Sequence, residues 1–445
     1  MSDTETAETA TAGQPGGDPP GSTDMPDSGD GDARRGNSII GTTLNPFAPD
    51  FFADPYAQYA RVREAGEVHR TPIGVLVHRY DHCFAVLRTA GTSVDESKAS
   101  RGLPGPTLEE LGEDRRERGR HSILNLDPPD HTRIRRLVSS AFTVRRIEGL
   151  RQRVRQLVHE LLDDLAAAGR DGEPVDLIAR FAFPLPFQVI SEMLGMPDGD
   201  RDELRAWSHT VTRFLEPLMA ADELEEALQA SDNMQAHLEA AIEWKRRNPA
   251  DDLLSALIAA EEDGDRLSPL ELVDQVRLLY LAGHETTVNL IGNGTLALLR
   301  HRDEMRRLLA DPRLDAGAVD ELLRYDSPVQ LSRRVALDEI EVGGETVAPG
   351  DLILTLLGAA NRDPARWGPT ADQLDIGRDG AGAHLSFGSG IHHCLGAALA
   401  RLEGTEAVPA LVRQFPAMDL ATDEPAWNGR IVLRGLDRLP VTLVA

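Results

Sequence analysis

A chain of 445 residues that is 41% hydrophobic can bury a sizeable core, as one large domain or a few ordinary ones. Its formal net charge of -26 argues against nucleic acid or an anionic membrane surface as the main partner. Two cysteines, Cys83 and Cys394, exclude a disulfide framework. With no apolar leader and no run of about 18 apolar residues, the expectation is a soluble cytoplasmic protein.

Residues 1–38 are rich in Thr, Ser, Gly, Pro and Asp and lack any hydrophobic period. Such a segment cannot bury enough surface to offset its ordering entropy, so it reads as a disordered acidic tail. The composition changes at Asn45-Pro46-Phe47, and residues 39–445 read as one domain. Within it, Val75-Leu76-Val77-His78 has strand character, as does Ile340-Glu341-Val342 before Gly343-Gly344. Ile431-Val432-Leu433 and Val441-Thr442-Leu443 suggest a further strand pair near the C-terminus. Helical periodicity marks 148–167, 186–195, 222–245, 269–301 and 316–325. Scattered short strands among many helices predict a single large, mostly α domain of the α+β class.

The helix at 269–301 is the best marked. Ser268-Pro269-Leu270-Glu271 supplies an N-cap, a proline at the first helical position and a glutamate that closes a capping box. Its middle, Leu278 to Leu299, is apolar nearly all round, as in a core helix. Ala282-Gly283-His284-Glu285-Thr286-Thr287 interrupts that run. Glu285 has only Leu281, Ala282, Val288 and Asn289 three or four residues away, so nothing local compensates its charge. Gly283 removes a side chain and Thr286 can bond back to the previous turn, which together suggest a small polar notch.

The string Phe387-Gly388-Ser389-Gly390-Ile391-His392-His393-Cys394-Leu395-Gly396 carries the most information. Gly388 and Gly390 permit a tight turn, and Ala397-Ala398-Leu399-Ala400-Arg401-Leu402-Glu403 has strong helix propensity. Cys394 therefore sits at a helix start, where unpaired amides favour a thiolate, the metal-binding form. A small buried hydrophobe is the bland alternative. Zinc held by His392, His393 and Cys394 is another, weakened because adjacent histidines converge poorly on one tetrahedral ion.

The whole string resembles the cysteine loop of the cytochrome P450 family, FGxGxHxCxG, with every fixed position met. The resemblance extends over about residues 45–445 and implies the family's mostly helical prism with small sheets. It makes Cys394 the axial ligand of haem b iron, with Phe387, Gly388 and Gly396 shaping the cofactor loop. Residues 282–286 resemble the family's AGxxT element, which implies that Glu285 and Thr286 deliver protons to iron-bound dioxygen. Glu321 and Arg324, at i and i+3, look like the ExxR element behind the haem. The family commonly adds a third, cationic partner; here Gln373 stands at that place, and Arg378 is the substitute within reach. Asp127-Pro128-Pro129-Asp130-His131-Thr132-Arg133-Ile134-Arg135-Arg136 resembles the DPPxHTRxRR helix. By that likeness His131 and Arg135, with Arg334 and His392, hold the haem propionates.

Between Arg133 and Arg155 lie Arg133, Arg135, Arg136, Arg145, Arg146, Arg151, Arg153 and Arg155 against the single acid Glu148. This reversal of sign is either a solvated helix face or a docking patch for an acidic electron-transfer protein. The chain shows neither a flavin nor a ferredoxin motif of its own, so electrons should come from an external ferredoxin and its NAD(P)H-dependent reductase. The activity implied is insertion of one atom of O2 into a lipophilic small molecule such as a secondary metabolite. Oxidative coupling or desaturation at the same haem, and a non-catalytic haem sensor, are the alternatives. Substrate contacts are expected from the loop near 90–120, the helices near 183–220, the long helix, Val329–Leu331 and Leu433–Leu436.

Overall fold

In the computed structural model of the chain, the described residues are 39–101, 115, 118–196, 201–217, 219–259, 261–262 and 265–443. The expected acidic tail, residues 1–38, lies outside them, as do parts of the expected substrate loop near 90–120. Periodicity located the helices well. They run Arg151–Ala168, Pro184–Leu194, Ala221–Arg247, Pro269–Arg300 and Asp315–Tyr325, and the segment after the cysteine forms Ala397–Gln414.

The long helix Pro269–Arg300 spans 32 residues, about 48 Å. Its capping box forms as expected: the Ser268 hydroxyl accepts from the Glu271 amide at 3.2 Å, and Glu271 accepts from the Ser268 amide at 2.7 Å. It packs against Pro184–Leu194, Ala221–Arg247, Asp315–Tyr325 and Ala397–Gln414, so most of its surface is removed from water. Among the described residues no helix is long and apolar enough to cross a membrane.

The largest sheet has five strands in the order Val68–Thr71, Gly74–Val77, Leu352–Leu356, Leu331–Ala336 and Thr92–Ser93. All its pairings are antiparallel except Gly74–Val77 with Leu352–Leu356. The hairpin Ile340–Val342 with Glu345–Val347 turns at Gly343-Gly344 as expected. The C-terminal strand pair does not form as expected. Pro440–Thr442 pairs instead with Asp419–Leu420 and Val175–Asp176, while Leu433 makes a lone bridge to Val329. The reason is polar and local: the Ile431 and Val432 amides are taken by the Glu216 carboxylate, so that backbone is unavailable to a ladder.

Candidate active site

The cysteine loop folds on its own backbone. Cys394 N–H donates to Phe387 O at 2.9 Å, Gly388 N–H to Leu385 O at 2.8 Å and His393 N–H to Gly390 O at 3.1 Å. Gly388 and Gly390 take positive φ, 67° and 72°. At Gly390 a Cβ would lie 2.4 Å from Leu87 O, so the loop can approach the helix Tyr80–Arg88 only without a side chain there. Phe387 is pinned beneath the Arg401 guanidinium, 4.7 Å from its ring centre.

Gly396 caps the helix Ala397–Gln414, and the amides of Gly396 and Ala397 both bond toward the Cys394 sulfur. Cys394 is reachable by solvent yet deeply set among protein atoms. Burial pushes its thiol up, against the pull of those amides, Arg135 and Arg401. The helix start alone therefore does not make the thiolate that the sequence suggested. A cation at the sulfur would displace the proton. The zinc alternative finds no geometry: His392 packs on His131 with ring centres 4.2 Å apart, and His393 meets Phe387 edge-on. Among the described residues no group of three or more His, Cys, Asp or Glu is gathered for a metal.

Beside the loop lies a cluster of two arginines and two histidines, with Arg334 and His131 buried and Arg135 and His392 half-buried. Arg135 donates to His393 O at 2.6 Å and faces the sulfur. Arg334 is buried, bonds among the described residues to Ser332 Oγ and Arg333 O, and is lowered to about 10 by burial. His392 is lowered to about 3 by burial, then by His131 and Arg334. Both ring nitrogens of His131 are buried without a partner. Asp127, an acid close to these groups, is already engaged by Lys98, Ser93 and the Val94 amide. Two arginines that meet only neutral acceptors, beside an unpartnered His131, fit an anionic group between them, and the two carboxylates of a haem meet that need. A sulfur ligand on one side and this cluster on the other suit haem iron.

On the long helix a single stripe is open. Ala282 is exposed and Leu278, Leu281, Gly283 and Thr286 around it are half-buried, whereas the rest of the stretch 272–299 is buried. Thr286 Oγ1 donates to Ala282 O at 3.2 Å, the expected back-bond. Gly283 has another cause than a polar notch. A Cβ there would meet Ile190 at 2.8 Å, so it lets the helix Pro184–Leu194 pack closely. Glu285 is buried and compensated from far along the chain. Arg430 Nη1 lies 3.3 Å away and His209 Nδ1 3.7 Å away. Burial pushes this carboxyl up, but His209, Arg430 and His284 outweigh it and hold it near 2. Arg430 also donates to Thr212 Oγ1 and His209 O, each at 2.5 Å. No local spacing links residues 209, 285 and 430, and the sequence reading missed both partners. The one available signal was the uncompensated acid itself. A cavity of about 430 Å³, lined by Arg205, His209, Glu285, Asn289 and Asp437, opens on this group.

Glu321 and Arg324 are fully buried and bidentate, at 2.7 and 2.8 Å. Arg324 also donates to the carbonyls of Asn361, Ala371 and Gln373. Arg378 Nε donates to Glu321 at 3.2 Å, so it supplies the third charge while Gln373 contributes only its backbone. The arginine-rich stretch is less positive in space than in sequence. Arg133 pairs with Glu271 and Asp265, Arg146 with Asp251, Arg151 with Glu148 and Glu406, Arg153 with Glu192, and Arg155 with Glu406. Acids distant in sequence cancel most of it.

A family model described as cytochrome P450 matches residues 75–311 and 312–428. The chain is 42% identical to cytochrome P450 107B1 of Saccharopolyspora erythraea, over 89% of this chain and 97% of that protein. It is 41% identical to the 6-deoxyerythronolide B hydroxylase of the same organism, over 90% and 99%. Among solved structures it is similar to the bacillaene polyketide synthase cytochrome P450 PksS of Bacillus subtilis 168, with a TM-score of 0.80 and 38% identity. That match covers 90% of this chain and 100% of PksS.

Proposed function

The chain belongs to the cytochrome P450 family of haem monooxygenases, and from that premise we propose that it hydroxylates a lipophilic secondary metabolite, with Cys394 as the ligand of a haem b. The observation that carries the assignment of the ligand is the Cys394 sulfur, reachable by solvent at the head of a helix with two amides aimed at it. Relatives named as a 6-deoxyerythronolide B hydroxylase and a polyketide-pathway P450 support a polyketide-like substrate class.

Bound haem supplies the activation of O2, which a thiolate ligand favours by pushing electron density onto iron. The chain's own groups do the rest. Arg135, Arg401 and the Gly396 and Ala397 amides stabilise negative charge at sulfur once its proton has left. His131, Arg135, Arg334 and His392 would hold the propionates of a bound haem, and Phe387, Gly388 and Gly396 would shape the cysteine loop against it. Leu278, Ala282 and Thr286 offer an apolar wall ending in one hydroxyl. Glu285, kept ionised at neutral pH by His209 and Arg430, can relay a proton toward Thr286 only when those contacts are released during turnover. Its loose hold on Arg430 lets it change state. The pair Glu321–Arg324, with Arg378, keeps the segment before the cysteine loop in register.

Electrons come from a ferredoxin and its reductase, docking around the exposed Ile391 and the adjacent Arg135. With most nearby arginines already paired, the contact relies on apolar area as well as charge. The test is Cys394→Ala. The purified variant should lose the thiolate-type carbon monoxide spectrum and NAD(P)H-coupled product formation with a surrogate ferredoxin. Retention of that spectrum would remove the assignment.

A further inference from the structure

At the far end of the long helix a second cavity, of about 190 Å³, is lined by Tyr56, Arg300, Tyr325, Asp326, Arg362 and Arg434, with Asp54 and His301 at its edge. Arg362 lies in the Asn361-Arg362-Asp363-Pro364 stretch, to which the site described above gives no task. Its guanidinium is sandwiched between two rings, 3.6 Å from the Tyr56 centre and 3.9 Å from that of Tyr325. Both faces are thus covered. Nε is also satisfied, donating to Tyr325 O at 2.8 Å. What remains is the outer edge with its two parallel N–H directions. Among the described residues no carboxylate pairs with Arg362, although the residue is only 8% exposed.

The other charges around the cavity sharpen this picture. Arg434 is matched by Asp326 at 2.7 Å, and Asp326 also accepts from Tyr56 Oη at 2.9 Å. Asp54 caps its own helix by accepting from the Tyr56 amide. Arg300, in the last turn of the long helix, is exposed and has no carboxylate partner among the described residues. His301 is held by Ala297 O and approaches Tyr325 Oη at 3.4 Å. Three arginines face two carboxylates, and the surplus positive charge sits on Arg362 and Arg300.

We propose that this cavity is a binding site for a small oxyanion, a phosphate or carboxylate group, gripped by the free edge of Arg362 and by Arg300. A planar guanidinium held rigid by two stacked rings is pre-organised for a two-oxygen acceptor, and little rotamer entropy is lost on binding. The volume is enough for a phosphate. The site is independent of the haem assignment, and a failure here leaves that assignment untouched.

The test uses the full, haem-loaded chain and follows thermal unfolding by circular dichroism. Inorganic phosphate and, separately, acetate are titrated against chloride at constant ionic strength. A saturable rise in Tm with either probe, absent with chloride, is expected, and which probe acts identifies the oxyanion. Arg300→Gln and Arg362→Lys should each weaken half-saturation by about tenfold, the loss of roughly one charge-assisted contact. Asp54→Asn keeps the helix cap but removes an opposing charge, so it should tighten binding several-fold. The site is refuted if both probes shift Tm no more than chloride. It is equally refuted if their half-saturation is the same in the wild type and all three variants.

Discussion

Glu321 and Glu285 are both buried glutamates with an arginine beside them, yet they are held very differently. Glu321 is overdetermined: Arg324 grips both oxygens, Arg378 reaches one, and the Asp375 amide donates at 2.9 Å. Both it and Arg324 are 0% exposed. Glu285 has one long contact to Arg430 and a loose approach from His209, and it borders a cavity that His209 and Asp437 share. A charge fixed by many donors can only be structural, because changing its state breaks everything around it. A charge held by two partners beside open space stays ionised at rest, and can gain a proton once those partners move away. Glu403 is the limiting case. It is fully buried, neither oxygen has a partner among the described residues, and burial raises its pKa far above the usual carboxylate range.

The most destructive way to test this contrast is Arg324→Ala, which leaves Glu321 charged and buried. About 3–5 kcal/mol of stability should be lost, read as a lower urea midpoint together with loss of haem uptake. Next comes Glu403→Gln. The folded carboxyl stays protonated while the unfolded one ionises near its ordinary value, so the wild type should lose about 1.4 kcal/mol per pH unit above roughly pH 4.5. That contribution is complete below the unfolded pKa and disappears as pH rises toward the folded one. The glutamine variant should lack the slope, as urea titrations between pH 5 and 8 would reveal; an unchanged slope would mean that Glu403 is ionised in the fold.

How visible these three acids were in the sequence follows from where their partners come from. Glu321 and Arg324 sit one helical turn apart, so their meeting could be read from spacing, although burial made the pair far stronger than a surface pair. The long helix, its capping box and the cysteine loop were equally legible, because each is set by residues within a few positions. Arg430 and His209 reach Glu285 only through the tertiary fold, across 145 and 76 positions, and no periodicity encodes that. For the same reason the arginines from 133 to 155 looked like an unopposed patch: Glu271, Glu406, Asp251 and Glu192 neutralise them from distant segments. The C-terminal strand pair failed likewise, since Glu216 claims the Ile431 and Val432 amides. The uncompensated Glu285 was itself visible; what answered it was not.

Arg430→Gln carries the comparison to the looser acid. Glu285 now sits near 2, a depressed value, so its contribution is present above the unfolded pKa and is lost as pH falls from about 4.5 toward 2. Without the arginine, burial is opposed only by His209 and His284, and the carboxyl should rise toward neutrality. Stability at pH 7 should fall by about 1–2 kcal/mol, less than for Arg324→Ala, because a group that can take up a proton escapes the full cost of an unpaired charge. The acid limb of the stability profile should flatten, and the pH dependence of turnover should shift upward while the carbon monoxide spectrum stays the same. A variant whose turnover profile matches the wild type would make Arg430 a structural clamp only.

The smallest effect is expected where charge is most exposed. Arg146 is paired with the fully exposed Asp251 at 3.2 Å, and such a pair contributes under about 1 kcal/mol. Reversing Arg145 and Arg146 to Glu should therefore leave stability and substrate-induced spectral shifts unchanged. If an acidic ferredoxin docks nearby, reduction should slow only a few-fold at low salt, and the difference from wild type should fade as ionic strength rises and screens the patch. A reduction rate equal to that of the wild type at every salt concentration would place electron entry on another face. A much larger, salt-insensitive loss would mean that the two arginines act through the fold, as Arg324 does, and the distinction between overdetermined and loosely held charge would fail at the surface.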